Sequence, residues 1–313
     1  RLCLPQHRAG TLPSQAEGAS GPSRQRLQRW ANERTAHWSP TAKGLLWTSC
    51  AGYVFSILNA LMRALALEVP PLQSQFLRYF MGLLVLLPII FWHGWRHYQP
   101  NDIKGQFWRG GLHTLGLVLW FMALPRIPLA DMTAIGFTTP IFIMIGARLF
   151  FGEPMRWERW VATVLGFTGV LIVVGPKLSG SGGWWHLVML ASAPVFAGSF
   201  LMTKSLTRHE TVGVILVWQA ITVTLLSLPM ALVVWQAITP QQWLGFLGCG
   251  FLGSLGHYCL TRSFAVADIS ATQSVKFMDL LWSAFFGYVI FADVPTQTTL
   301  LGGAVIAAAT LWV

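Results

Sequence analysis

The 313-residue chain is 54% hydrophobic and only 10% charged, with a mean hydropathy of +0.55 and a formal net charge of +10. A soluble domain carries roughly 25% charged residues, so this composition excludes an ordinary water-exposed surface and points to a protein whose outside meets lipid. The charge does not point to nucleic acid, because half of it lies in the first 43 residues and much of the rest in short loops, leaving no soluble basic face.

In chain order, residues 1–43 come first. They are rich in Gly, Ser, Pro, Gln and Arg and have no apolar core, so they read as a disordered basic tail rather than a signal peptide or a domain. The start at Arg1, and the stop at Val313 inside an apolar run, suggest a fragment or an altered start with a truncated last helix. Ten apolar windows of membrane-spanning length follow, near 44–65, 72–92, 108–125, 129–151, 159–176, 184–205, 212–235, 242–264, 268–291 and 296–313. The connections are brief, and the glycine-rich run at 175–183 separates a block at 44–176 from a block at 184–313. The 16 Trp suit headgroup positions. Cys3, Cys50, Cys249 and Cys259 match neither a zinc spacing nor a disulfide framework.

Lysine and arginine concentrate on one side. With the N-terminus inside, the inner loops hold Arg96, Lys104, Arg109, Arg156, Arg159, Lys204, Arg208 and Arg262, and the outer ones little beyond Arg126 and Lys177. The expected orientation therefore puts the N-terminus in the cytoplasm.

The two blocks are copies. PLQSQFLRYFMGLLVLLP, ending at Pro88, returns about 140 residues later as TVGVILVWQAITVTLLSLP, ending at Pro229. At that offset Val54-Phe55 falls on Val195-Phe196, Arg63 on Lys204, Arg78 on Gln219, and Gly152-Glu153 on Ala292-Asp293. Five windows per copy is an odd number, so the second copy starts on the opposite side of the membrane, and the repeat is inverted.

The run at 123–176 (ALPRIPLADMTAIGFTTPIF…FFGEP…GVLIVVGP) carries the order ADxxxI…P…FGE…G…GV, and the run at 263–306 (SFAVADISATQSVKF…FADVP…GGAVI) follows its outline. In this they resemble the EamA branch of the drug/metabolite transporter superfamily, and the resemblance covers about 44–313. The second copy reads FAD in place of FGE and has Ser274 where Pro is common. The resemblance implies an all-α integral membrane protein of ten helices, both termini in the cytoplasm, and alternating access to a central cavity.

Charge within the membrane is the strongest pointer to a site, because it is costly unless paired or wetted. Arg78 lies about two turns into the second window, with Gln219 at the matching place in the seventh; the alternative for Arg78 is to reach the headgroups. Lys276 and Asp279 share a face of the ninth window, as a substrate-facing pair or as a structural one. His113 and His257 can each carry a coupling proton, or serve as neutral hydrogen-bonded groups; their spacing does not match the repeat. Asn59 adds a polar candidate, with Gln75, Thr138, Thr139, Gln273 and Ser274 behind it. Trp282, Trp120 and Tyr258 are candidate aromatic walls. Pro88, Pro140, Pro194 and Pro229 are expected to kink their helices. Asp131 and Asp268 are expected to cap helix N-termini, and Glu153 and Asp293 to be loop or cap residues.

GCGFLG (248–253) has the dinucleotide spacing, but it follows no strand; Gly245, Gly248, Gly253 and Gly256 fit better as small faces for close helix approach. No nucleophile–base pair, metal set or cofactor motif emerges. The expectation is a secondary transporter of the bacterial inner membrane that moves a small anionic or zwitterionic, amino-acid-like metabolite, with no cofactor and an open oligomeric state. The rivals are a membrane enzyme acting on a lipid-like substrate and a non-transporting scaffold.

Overall fold

A computed structural model describes residues 38–153, 183–276, 278–294 and 296–311, with positions 157, 161, 164–165, 168–169 and 171–172 between them. The tail before residue 38, the Gly-rich linker, Arg156, Arg159 and Lys177 lie outside the described residues, as does most of the fifth window.

Among the described residues the regular elements are all helices. They are α1 (Pro40–Ala66), α2 (Pro71–His93), α3 (Ile103–Ala123), α4 (Leu129–Gly136), α5 (Thr138–Phe151), α6 (Gly183–Leu206), α7 (Val212–Val233), α8 (Pro240–Val266), α9 (Ile269–Thr272), α10 (Met278–Phe291) and α11 (Gln297–Leu311). Of these, α1, α2, α6, α7 and α8 are each long and apolar enough to cross a membrane. Local chemistry sets their starts. Ser39 accepts from the Ala42 amide ahead of Pro40, Thr211 accepts from the Val214 amide, and Thr239 with Gln242 forms a reciprocal capping box.

The fourth and ninth windows, expected as continuous helices, are each broken. Phe137 separates α4 from α5, and a 3-10 turn at Gln273–Val275 separates α9 from α10. The breaks fall at matching places in the two copies, and broken helices of this kind line the binding sites of inverted-repeat carriers. Pro140 therefore sits in the first turn of α5 rather than mid-helix, whereas Pro88, Pro194 and Pro229 lie inside α2, α6 and α7.

Inversion is visible in the contacts. The start of α2 meets the end of α7, where Gln73 Nε2 donates to the Gln236 carbonyl (2.8 Å) and the Gln236 amide returns a bond to Gln73 Oε1 (3.0 Å). At the other face, Trp218 of α7 donates to the Tyr98 carbonyl just beyond α2 (2.8 Å). So α2 and its copy α7 run antiparallel. Likewise α1 packs along α8, and its copy α6 packs along α3.

The seams themselves repeat. A β-carbon on Gly256 would lie 2.7 Å from the Phe55 ring, and one on Gly116 would lie 2.9 Å from the Phe196 ring. Phe55 and Phe196 are equivalent in the two copies, and so are Gly256 and Gly116; one ring-in-hollow contact is used twice, upside down. α8 also closes tightly on α2, where a β-carbon on Gly250 would lie 2.5 Å from the Gly82 nitrogen.

The FGE and FAD signatures end α5 and α10 alike. Gly152 and Ala292 both have positive φ (65° and 54°), and the next amide reaches back six residues, from Glu153 to Ala147 O and from Asp293 to Gly287 O. Glu153 then accepts from the amide and hydroxyl of Ser270, and Asp293 pairs with Arg63. Asp131 and Asp268, expected as helix caps, both lie at helix starts, Asp131 in the first turn of α4. Asp268 holds the N-cap position of α9 with no side-chain bond there, and buried Asp131 ties α4 to α11 through Thr299 (2.9 Å) and to α6 through His186 (3.5 Å).

Candidate functional site

A cavity of about 210 Å³ lies between the halves. It is built from short helical repeats of polar and aromatic residues. On α3, Arg109 and His113 are one turn apart and share a face; on α6, Phe196 and Phe200 do the same, as do Ser199 and Thr203. Arg78 reaches the cavity from α2, His257 from α8, Gln273 and Lys276 from the α9–α10 break and Asp279 from the start of α10, while Tyr79, Ser199 and Gln219, with Arg109 and Thr203 beyond them, stand behind the lining histidines in one hydrogen-bonded chain.

Of the expected site residues, Arg78, His113, His257, Asn59, Lys276 and Asp279 line this cavity. Gln219 lies next to it, lining a smaller void with Arg78, Tyr79 and His257. Trp282 does not line it; its ring packs edge-on against Tyr53 at 5.0 Å. Tyr258 packs against Trp47 instead, while Trp120 does face the cavity. The aromatic walls are chiefly phenylalanines. Phe55 meets the His257 ring edge-on at 5.0 Å, and Phe196 meets the His113 ring at 5.4 Å.

The two histidines, unrelated by the repeat offset, are neighbours with ring centroids 5.3 Å apart. Tyr79 joins them, its hydroxyl lying 2.8 Å from His113 Nε2 and 3.2 Å from His257 Nε2. His113 Nδ1 meets the Ser199 hydroxyl at 3.2 Å. Arg109, expected in an inner loop, is instead 2% exposed inside the bundle, because α3 begins at Ile103, ahead of the expected window. Its guanidinium donates to Thr203 Oγ1 (2.5 Å), the Ile215 carbonyl (3.3 Å) and Gln219 Oε1 (2.6 Å). Tyr79 and Arg109 were not among the expected site residues.

Three cations meet the cavity region in different states. Lys276 is matched by Asp279 at 3.4 Å, with Gly52 leaving room for that carboxylate. Arg109 is bonded on all three nitrogens. Arg78 is 7% exposed, stacks its guanidinium 4.8 Å from the Tyr79 ring centre, and forms no hydrogen bond or ion pair among the described residues.

Two inverted helical copies, each with a broken fourth span, enclosing a polar and aromatic hollow, define a secondary membrane carrier. The comparisons agree. The model of the EamA-like transporter family matches residues 42–175 and again 183–313, and the chain belongs to that family. A riboflavin transporter of Rhizobium johnstonii is 33% identical over 273 residues, covering 86% of this chain and 90% of that protein. An S-adenosylmethionine uptake transporter of Rickettsia felis is 28% identical over 270 residues (86% and 92%), and a pseudopaline exporter of Pseudomonas aeruginosa is 27% identical over 272 (85% and 94%). A crystal structure with 17% identity superposes with a TM-score of 0.67 over 86% of this chain and 95% of its own, which speaks to the fold. The chain is thus a multi-pass membrane protein and a transporter of small metabolites.

Proposed function

We propose that this carrier lies in a bacterial inner membrane with its N-terminus in the cytoplasm, and moves a small organic metabolite bearing an anionic or zwitterionic, amino-acid-like group. The orientation rests on the excess of Lys and Arg in the loops on one side. The substrate class rests on Arg78, a buried guanidinium with no carboxylate partner among the described residues, beside the Lys276–Asp279 pair. A lone buried cation is costly, and an anionic group entering the cavity offsets that cost. The same pair offers a carboxylate for a substrate ammonium and an ammonium for a substrate carboxylate. The two copies rock about this point, so that the cavity faces one side and then the other. The relatives differ in substrate and in direction, so they narrow neither; the charge pattern of the cavity carries the choice.

The test is flux into proteoliposomes from a mixture of amino acids, riboflavin and S-adenosylmethionine. Arg78→Ala and Lys276→Ala are expected to abolish flux while leaving the protein in the membrane. Wild-type flux in both variants removes these residues from the site.

A further inference from the structure

The Tyr79–histidine cluster has a direction, and that direction singles out one histidine. Arginine can only donate hydrogen bonds. Arg109 therefore fixes Gln219 with its oxygen toward the guanidinium (2.6 Å) and its NH₂ toward the His257 ring, 3.3–3.4 Å from both ring nitrogens. His257 must keep a lone pair to accept from that amide; if its ring were a cation, two donors would face each other. Tyr79 has a single proton, so it donates to one histidine and accepts from the other.

His113 is under no such restriction. Both its partners, Tyr79 and Ser199, are hydroxyls, which can turn to accept. A cationic His113 donates from Nε2 to Tyr79 and from Nδ1 to Ser199, while Tyr79 donates onward to His257 Nε2. Both donors of the His113 cation are matched, and His257 Nε2 then shares its one lone pair between the Tyr79 hydroxyl (3.2 Å) and the Gln219 amide (3.3 Å). The cluster has room for one extra proton, and His113 is where it fits.

The charges around it set a condition. α2 presents Arg78 and Tyr79, α8 presents His257, the α9–α10 break presents Lys276 and Asp279, and α3 itself presents Arg109; α6 and α7 present only hydroxyl, amide and aromatic groups to the cluster among the described residues. Lys276 and Asp279 offset each other, which leaves two guanidiniums unmatched by a carboxylate. A third positive charge beside them is opposed. An anionic group seated on Arg78 removes much of that opposition, and Arg78 and His113 open onto the same cavity.

We infer that His113 is the binding site of a coupling proton, and that this proton and an anionic substrate group on Arg78 bind together. The linkage is reciprocal: each raises the affinity of the other. A carrier built this way moves one proton with its anionic cargo, taken up at one face and released at the other. The inference rests on the carrier reading above and adds the identity of the co-transported ion.

Arg78→Glu supplies the test, because it fixes an anion where the substrate group would sit and so needs no substrate. Full-length protein with ring-¹⁵N histidine is placed in lipid nanodiscs, and protonation is followed by NMR from about pH 8, above the ordinary histidine range, down to the lowest pH at which the protein stays folded. His113→Gln and His257→Gln assign the signals. The pH at which His113 is half protonated is expected to rise by about one unit in Arg78→Glu, a tenfold gain in proton affinity, and by less in Arg78→Gln, with His257 neutral throughout. An unchanged His113 titration in both variants, or a proton that settles on His257, overturns the proposal. If Arg78→Glu fails to fold, Arg78→Gln alone decides it, by the same two outcomes. Failure here leaves the carrier reading standing, since that reading is judged by flux.

Discussion

Ala292 holds a left-handed backbone (φ 54°) that a residue with a β-carbon adopts at a cost of about 1 kcal/mol. Gly152, its equivalent, holds nearly the same angle without that cost. Ala292→Gly is therefore expected to stabilise the protein by about 1 kcal/mol, and Gly152→Ala to destabilise it by a similar amount, both read as shifts in thermal unfolding in one detergent. Equal melting temperatures across the set would remove the cap argument. Arg109 gives a larger effect. Removing it leaves Thr203, the Ile215 carbonyl and Gln219 without their donor, so Arg109→Leu should cost on the order of 2–4 kcal/mol. Arg109→Lys should recover little of this, because three acceptors need the guanidinium fork. A lysine variant as stable as wild type would refute that assignment. Arg109 was hidden in the sequence because it lies close behind Lys104 and resembles a helix flank. Arg78 was visible because it lies two turns inside an apolar run, although the sequence left open whether it turns inward or reaches the headgroups. The histidines were visible one by one but not as a pair, since what joins them is a tyrosine on a third helix.

Among the helices, the GCGFLG run separates into residues of different weight. Gly250 faces the Gly82 and Met81 backbone across the α2–α8 crossing, where a β-carbon would be 2.5 Å away. A β-carbon on Gly248 would meet only the Leu61 side chain, at 3.6 Å. Gly250→Ala should force the helices apart and cost about 1–3 kcal/mol, whereas Gly248→Ala should be close to neutral. Comparing the two unfolding midpoints checks this, and equal losses would sink it. The sequence suggested small faces in this helix but not which glycine makes the closest approach, because that depends on how the helices cross. The long spans were readable from hydropathy and caps. The breaks at Phe137 and at Gln273–Val275 were not: Gln273–Val275 holds no glycine or proline, and Gly136 and Pro140, which flank the first break, sit in a run whose hydropathy reads as one continuous span.

At the scale of the molecule, the copies place equivalent charges at opposite faces. Arg63 and Asp293 pair at the face that also holds Gln73. Their counterparts Lys204 and Glu153, at the other face, are turned to separate partners: Lys204 to the Phe264 and Ala267 carbonyls, and Glu153 to Ser270. Opening of the Gln73 face should therefore be eased by Arg63→Gln. In a background lacking the native cysteines, a Ser283→Cys reporter on the cavity wall should react about five times faster with a membrane-impermeant thiol reagent, the equivalent of ~1 kcal/mol for a partly exposed pair. No change in labelling rate from either side would show that the pair does not hold that face shut. The inverted arrangement was legible from the odd number of windows and the 140-residue echo, and the antiparallel α2–α7 contact is its physical form.

The twin seams, Phe55 against Gly256 and Phe196 against Gly116, have an energetic consequence. When a pivot and its upside-down twin are cut from nearly the same pattern, the inward and outward resting basins begin at similar depth. Only residual differences between the twins then separate them, and each 1.4 kcal/mol of such difference is a tenfold bias. In the rocking carrier proposed above, poses so nearly level leave the combined gradients of cargo and proton to set the net course.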